Sequence, residues 1–215
     1  MGLEVELFGS DWRERELDED DLEDDELDEI QRFYEECLLG VKRAVPCAAQ
    51  WMPGPLGEDA HSLGATMGGY STLHVLRAFA RHVELYGAPP QQPPEYGSRP
   101  DDLARVYEGS ATTSFPHLIE FSDSEGWYVP LDFERPVTVV LEDGTWHVGS
   151  CVRLLAELDR LEPHLSHAPD LALVREDTVR NALAHEPFAH VVWPWAVLRW
   201  LAREAVARNA ILRFG

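Results

Sequence analysis

Residues 127–161 read WYVPLDFERPVTVVLEDGTWHVGSCVRLLAELDRL, and the fold class turns on them. Trp127–Leu131 is a short apolar run rich in strand-forming residues. Val137–Leu141 and Thr145–Val148 are two more such runs, flanking Glu142-Asp143-Gly144, a turn suited to a β-hairpin. Directly after the hairpin the period changes. Cys151, Leu154 or Leu155, Leu158 and Leu161 line one side of a helix, and Ser150 stands at its N-cap position. Strands running straight into an amphipathic helix point to an α+β fold.

The rest of the chain extends this pattern. Leu3–Phe8 alternates apolar residues with Glu and reads as a short edge strand. Leu27, Ile30, Tyr34, Cys37 or Leu38, and Val41 predict a helix over about residues 25–44, with acids in its first turns where the macrodipole favours them. Pro46 and Pro53-Gly54-Pro55 mark a loop. The next helix is predicted between an N-cap at Ser71 and a stop at Gly87. Its apolar face is Thr72, Leu76, Phe79, Val83 and Tyr86, and the other face carries His74, Arg77, Arg81 and Glu84. Pro116–Phe121 reads as a strand joined to Trp127–Leu131 through Ser122–Gly126. Asp170–Glu186 looks helical, ended by Pro187, and a last helix over 194–209 places Pro194 at its first position. In it Trp193, Val197, Trp200 or Leu201, and Ala205 face a core, and Ile211–Phe214 is a closing strand. The expectation is an α+β protein, a mixed or antiparallel sheet flanked by about four to five helices. Residues 1–45 form an acidic segment with a helix, and 46–215 a single domain.

Composition sets the outer limits. With 45% hydrophobic residues the chain has material for a core, which excludes global disorder. No stretch approaches the roughly 18 apolar residues of a membrane span, and the N-terminus lacks the pattern of a signal peptide, so a cytoplasmic protein is expected. Three scattered cysteines make neither a disulfide framework nor a zinc knuckle. The net charge is −21, but it is uneven: residues 1–36 hold 17 acids and 3 bases. Two thirds of the excess therefore lies in one sixth of the chain. Direct nucleic-acid binding needs a clustered cationic footprint and is not expected.

Gly69-Tyr70-Ser71 followed by Arg77, the turn Phe121-Ser122-Asp123-Ser124-Glu125-Gly126, the strand Trp127–Phe133 and the helix opening Gly149-Ser150 carry a resemblance. Together they resemble a family of uncharacterised bacterial proteins with a Tyr-Ser helix start and a Phe-Ser-Asp-Cys-Glu-Gly turn. Ser124 stands where that pattern has Cys, which removes thiol chemistry there. The resemblance covers about residues 69–165 and, more weakly, the C-terminal helix and strand, and implies a domain rather than a reaction.

Several constellations are candidate sites. Asp123 and Glu125, with His117 nearby, are the candidate catalytic groups, either as an acid–base pair or as oxygen ligands. The same loop is equally a turn whose Asp and Ser side chains bond their own backbone. In a variant of that reading Ser122, Asp123 and Glu125 form a polar turn tied by ion pairs to Arg77 or Arg153. His164 and His167 have metal-ligand spacing but no third ligand, and they also suit a helix C-terminus. His185–His190 is interrupted by Pro187 and makes no zinc-protease helix. Cys151 sits on a leucine stripe, which favours burial over reactivity. His74, Arg77 and Arg81 form a basic strip suited to an acidic segment, such as the chain's own N-terminal run. No metal or cofactor is assigned.

The leading expectation is a non-catalytic acidic interaction protein that binds a basic protein surface, immunity-like or as a nucleic-acid mimic. Its contact residues would be Asp18, Glu19, Asp20, Asp21, Glu23, Asp24 and Asp25. The alternative is a hydrolase or metal-dependent enzyme centred on the Asp123/Glu125 loop.

Overall fold

The computed structural model describes residues 3–11, 24–56, 63–67, 70–97, 99–121, 126–141, 144–165 and 188–214, with the backbone alone at 24–26 and 70. In chain order the strands are β1 (Glu4–Phe8), β2 (Gly64–Thr66), β3 (Gly126–Val129), β4 (Val137–Leu141), β5 (Gly144–Ser150) and β6 (Ile211–Phe214). The helices are α1 (Asp24–Ala44), α2 (Tyr70–Tyr86), α3 (Asp101–Tyr107), α4 (Pro116–Ile119), α5 (Cys151–Leu161) and α6 (Ala189–Arg208). The strands form one sheet in the order β2-β1-β6-β3-β5-β4. Among the described residues only the β3–β5 pair is parallel, so the sheet is mixed and the α+β expectation holds.

Each face of the sheet has its own core. Val5, Leu7, Tyr128, Leu212 and Phe214 face the layer made by α2, α5 and α6. Phe8, Trp127, Val129, Val139, Leu141, Val148 and Ile211 face α1. The alternation along β3 is the period-2 rule of a strand buried on both sides. Helix α1 contributes Leu27, Tyr34, Cys37, Leu38 and Val41, all buried, with Ile30 packed beside them. It crosses the sheet very closely: a Cβ on Gly40 would overlap Val139 Cγ1. At the start of β3, Gly126 has φ +140°, and a Cβ there would meet His147 O at 2.6 Å.

Four local expectations are corrected. Leu3–Phe8 is a strand, yet it lies inside the sheet between β2 and β6, because β6 returns to pair with it from Val5↔Phe214 to Phe8↔Ile211. Pro116–Phe121 contains a single helical turn rather than a strand. Pro116 suits the first helical position, and Glu157 Oε1 and Oε2 accept from the N–H groups of His117 and Leu118 at 3.0 and 2.8 Å. Ser71 lies inside α2, which already begins at Tyr70. Pro194 is likewise inside α6, five residues beyond Ala189. Val191–Leu198 is buried all round, and that packing carries the helix through a residue that lacks an N–H. Asp170–Glu186 lies outside the described residues.

Gly40→Ala should lower stability. Overpacking against Val139 costs about 1–3 kcal/mol, more than the ~1 kcal/mol gained in helix propensity. Urea unfolding checks it, and Val139→Ala in the same chain should recover part of the loss. A Gly40→Ala chain as stable as the parent would mean that α1 does not pack this closely.

Candidate partner-binding surface

Because α1 buries one stripe, its charges are forced to the opposite side. Asp28, Glu29 and Glu35 are exposed and Glu36 is half-buried. Gln31 Nε2 donates to Glu35 Oε1 at 2.6 Å, and Arg32 Nε donates to Asp28 O at 3.3 Å. Lys42 and Arg43 occupy the last turn, where cations complement the macrodipole. The acidic end is therefore the N-terminal end. Asp24 and Asp25 lie in the helix's first turn, while Asp18, Glu19, Asp20, Asp21 and Glu23 lie outside the described residues.

The density of charge is informative. Residues 24–36 carry seven carboxylates on about 20 Å of helix. With Arg32 in the same stretch the net is −6, one negative charge per about 3.3 Å, close to the one phosphate per ~3.4 Å of axis on a DNA strand. Apolar groups flank the acids: Phe33 is 39% exposed and sets its ring edge-on to Trp146 at 5.2 Å, and Leu39 is 52% exposed.

The other candidates fall elsewhere. Ser122, Asp123, Ser124 and Glu125 lie outside the described residues, as do His167 and His185. His117 is fully buried. Ser150 N–H donates to His117 Nδ1 at 3.0 Å, so the ring's proton sits on Nε2, which donates to Phe133 O at 3.0 Å. Both nitrogens are thus engaged. Burial lowers its pKa to about 4.

Arg77 is buried, donating from Nε to Leu118 O and from Nη2 to Phe121 O, both at 2.8 Å. It braces the backbone between Leu118 and Phe121, just before Ser122. Arg153 pairs with Asp132 on the surface. Arg81 is also buried, paired with Glu84 at 2.6 Å. The predicted basic strip of His74, Arg77 and Arg81 is therefore not an open surface: Tyr107 lies against half-buried His74, Leu118 and Phe121 take Arg77, and Thr112 takes Arg81. Among the described residues no group of three His, Cys, Asp or Glu side chains is placed to hold a metal ion. Burial raises the Cys151 thiol well above its ordinary pKa. Trp195 is fully buried and donates to Leu158 O at 2.8 Å, so it serves the core.

Sequence reading missed Glu157. Its signal was a carboxylate on the leucine stripe of α5, next to Leu158 and three residues after Leu154. Burial raises its pKa to about 8, against the two backbone N–H donors that favour the charged form.

What the fold and surface define is an acidic α+β protein built on one mixed sheet, with a carboxylate-rich helix on one side. A family model described as "Putative DNA-mimic protein" matches residues 1–214, and the chain belongs to that family. The match spans the acidic segment as well as the sheet. No curated protein and no solved structure matches the chain. Among the described residues, no helix is long and apolar enough to cross a membrane.

The two buried titratable groups give a pH signature. His117 at about 4 lies below its ordinary 6.5, so the unfolded chain binds the extra proton between those values and stability rises with pH there. Glu157 at about 8 lies above its ordinary 4.5, so the folded chain holds the extra proton and stability falls as pH rises through that window. Above 6.5 the Glu157 effect remains, a fall of about 2 kcal/mol up to pH 8 at ~1.36 kcal/mol per unit. Urea unfolding at pH 6.5 and 8 should show this fall in the parent and lose it in Glu157→Gln. An unchanged fall in the variant would assign it to other groups.

Proposed function

We propose that this chain is a non-catalytic mimic of DNA that occupies the basic surface of a DNA-binding protein. The observation that carries this is the match to a DNA-mimic family along residues 1–214. Two physical features support it. Residues 24–36 reach nearly the linear charge density of one DNA strand. They are also held on a helix whose apolar stripe is buried on the sheet, so a partner need not order that helix on binding. Of the two basic targets that the charge suggests, a toxin or a DNA-binding protein, the family description favours the second.

An enzymatic reading would use His117 as a base, and both its ring nitrogens are engaged inside the fold. The acidic contact set is Asp18, Glu19, Asp20, Asp21, Glu23, Asp24 and Asp25, continued by exposed Asp28, Glu29 and Glu35.

Affinity capture from the source lysate tests the proposal, using the parent chain and a variant with those first seven acids changed to Asn or Gln. The parent should retain DNA-binding proteins that are released by competing duplex DNA and by raising salt from about 0.05 to 0.5 M. The neutralised variant should lose at least roughly tenfold of that capture. Capture that ignores both competing DNA and salt, or that survives neutralisation, would sink the idea.

A further inference from the structure

The sheet ends on one side in β4, which pairs with β5 from Val137↔Val148 to Leu141↔Gly144. Among the described residues its other edge is open: no hydrogen bond reaches Val137–Leu141 from the side away from β5. In an antiparallel pair alternate residues turn their N–H and C=O outward, so this edge presents unpaired donors and acceptors. Proteins usually blunt such an edge with a charge, a proline, a bulge or a cover. Val137-Thr138-Val139-Val140-Leu141 contains no charged residue and no proline, and four of its five residues are β-branched. The opposite edge is a poorer template, since β2 has three residues and one is Gly64.

The strand is held ready. Val139 and Leu141 belong to the core under α1, and Gly40 brings α1 down onto Val139. Thr138 and Val140 project from the opposite face, both exposed, Val140 by 79%. The nearest charged residues in sequence, Arg135, Glu142, Asp143 and Arg153, lie beyond the ends of the strand pair or in its connection. Residues 136–141 and 144–152 contain no Asp, Glu, Lys or Arg, although 27% of the chain is charged.

We propose that β4 is a self-pairing edge, through which two copies of this chain join antiparallel about a twofold axis. An antiparallel strand edge is complementary to itself, which makes a second copy a natural occupant. In a pairing centred on Val139, Thr138 of each copy opposes Val140 of the other, a β-branched pair with no like charges facing. Two chains of charge −21 repel, and a strand without charged residues adds no like-charge contact of its own when it pairs with its copy. The result is one continuous sheet with both α1 helices on the same face. Resting on the mimic reading above, this gives the acidic surface a twofold symmetry, which is the symmetry of DNA-binding proteins that grip two half-sites as dimers.

Two paired five-residue strands fall short of the ~1,200 Å² of a standard interface, so the dimer is weak. Like charge elsewhere on the two copies opposes it, so salt tightens it. This is the reverse of the salt response expected for capture of a basic partner.

Sedimentation velocity of the full chain provides the test. The mass should rise from 24.3 kDa toward twice that value between about 10 µM and 1 mM. The rise should come at lower concentration in about 0.5 M salt than in 0.05 M. Val140→Lys and Thr138→Lys place a charge on the edge without touching the core and should abolish the dimer while keeping the parent's unfolding midpoint. Val140→Thr should retain it. A monomer at every concentration, or a dimer unaffected by both lysine variants, would overturn the proposal. Val140→Lys leaves the acidic helix intact, so DNA-competed capture lost with the seven-acid variant but kept here separates the two readings.

Discussion

Ser150 N–H donates to His117 Nδ1, and His117 Nε2–H donates on to Phe133 O, so one buried imidazole ties the end of β5 to the segment after β3. The hydroxyl of Ser150 accepts from Arg153 N, capping α5, and donates to Leu131 O at 2.5 Å. From α5, Glu157 caps the single turn of α4 that carries His117. Tyr128 on β3 closes the knot by donating to His117 O at 2.7 Å. Each of these groups would cost about 1–3 kcal/mol if left buried without a partner. The knot therefore sets where β5 stops, where α5 starts, and how the parallel β3–β5 pair is joined to the helical layer.

That junction places the hairpin of β4 and β5, and the hairpin carries α1. Val139, Leu141 and Trp146 supply part of the surface on which the helix lies, and Gly40 allows the two backbones to approach. The acidic residues inherit their position from this packing. Carboxylates on a free peptide would have to be ordered at the partner's expense, while those on a docked helix keep their spacing before binding. The chain's charge and its core are thus two faces of one helix.

Much of the fold was legible because its signals are local. The paired strands β4 and β5, the Ser150 cap, the α1 stripe and the Gly87 stop each rest on a few neighbouring residues, and each lies where the sequence places it. Pro116–Phe121 was not legible, since a short apolar run fits strand or helix and its cap comes from Glu157, forty residues away. Arg77 and Arg81 read as a surface strip because helical periodicity gives the face of a residue but not what covers that face. Of the candidate site, the acidic character was plain from composition, and the exposure of Asp28, Glu29 and Glu35 required knowing which stripe of α1 the sheet takes.

By itself, the sequence determined the class of the fold, the segments that become most of its strands and helices, and the concentration of charge near the N-terminus. Periodicity, caps and turns act over a few residues, and charge is additive, so none of these depends on the partner found in space. Only the tertiary structure decided that β1 is interior, that β4 is an edge among the described strands, and that His117 and Glu157 are spent inside the core. Those outcomes depend on which distant segments meet: β6 with β1, α5 with α4, and α1 with the hairpin. Long-range pairing is a property of the packed whole, because a buried edge or polar group is satisfied by whatever the fold brings beside it.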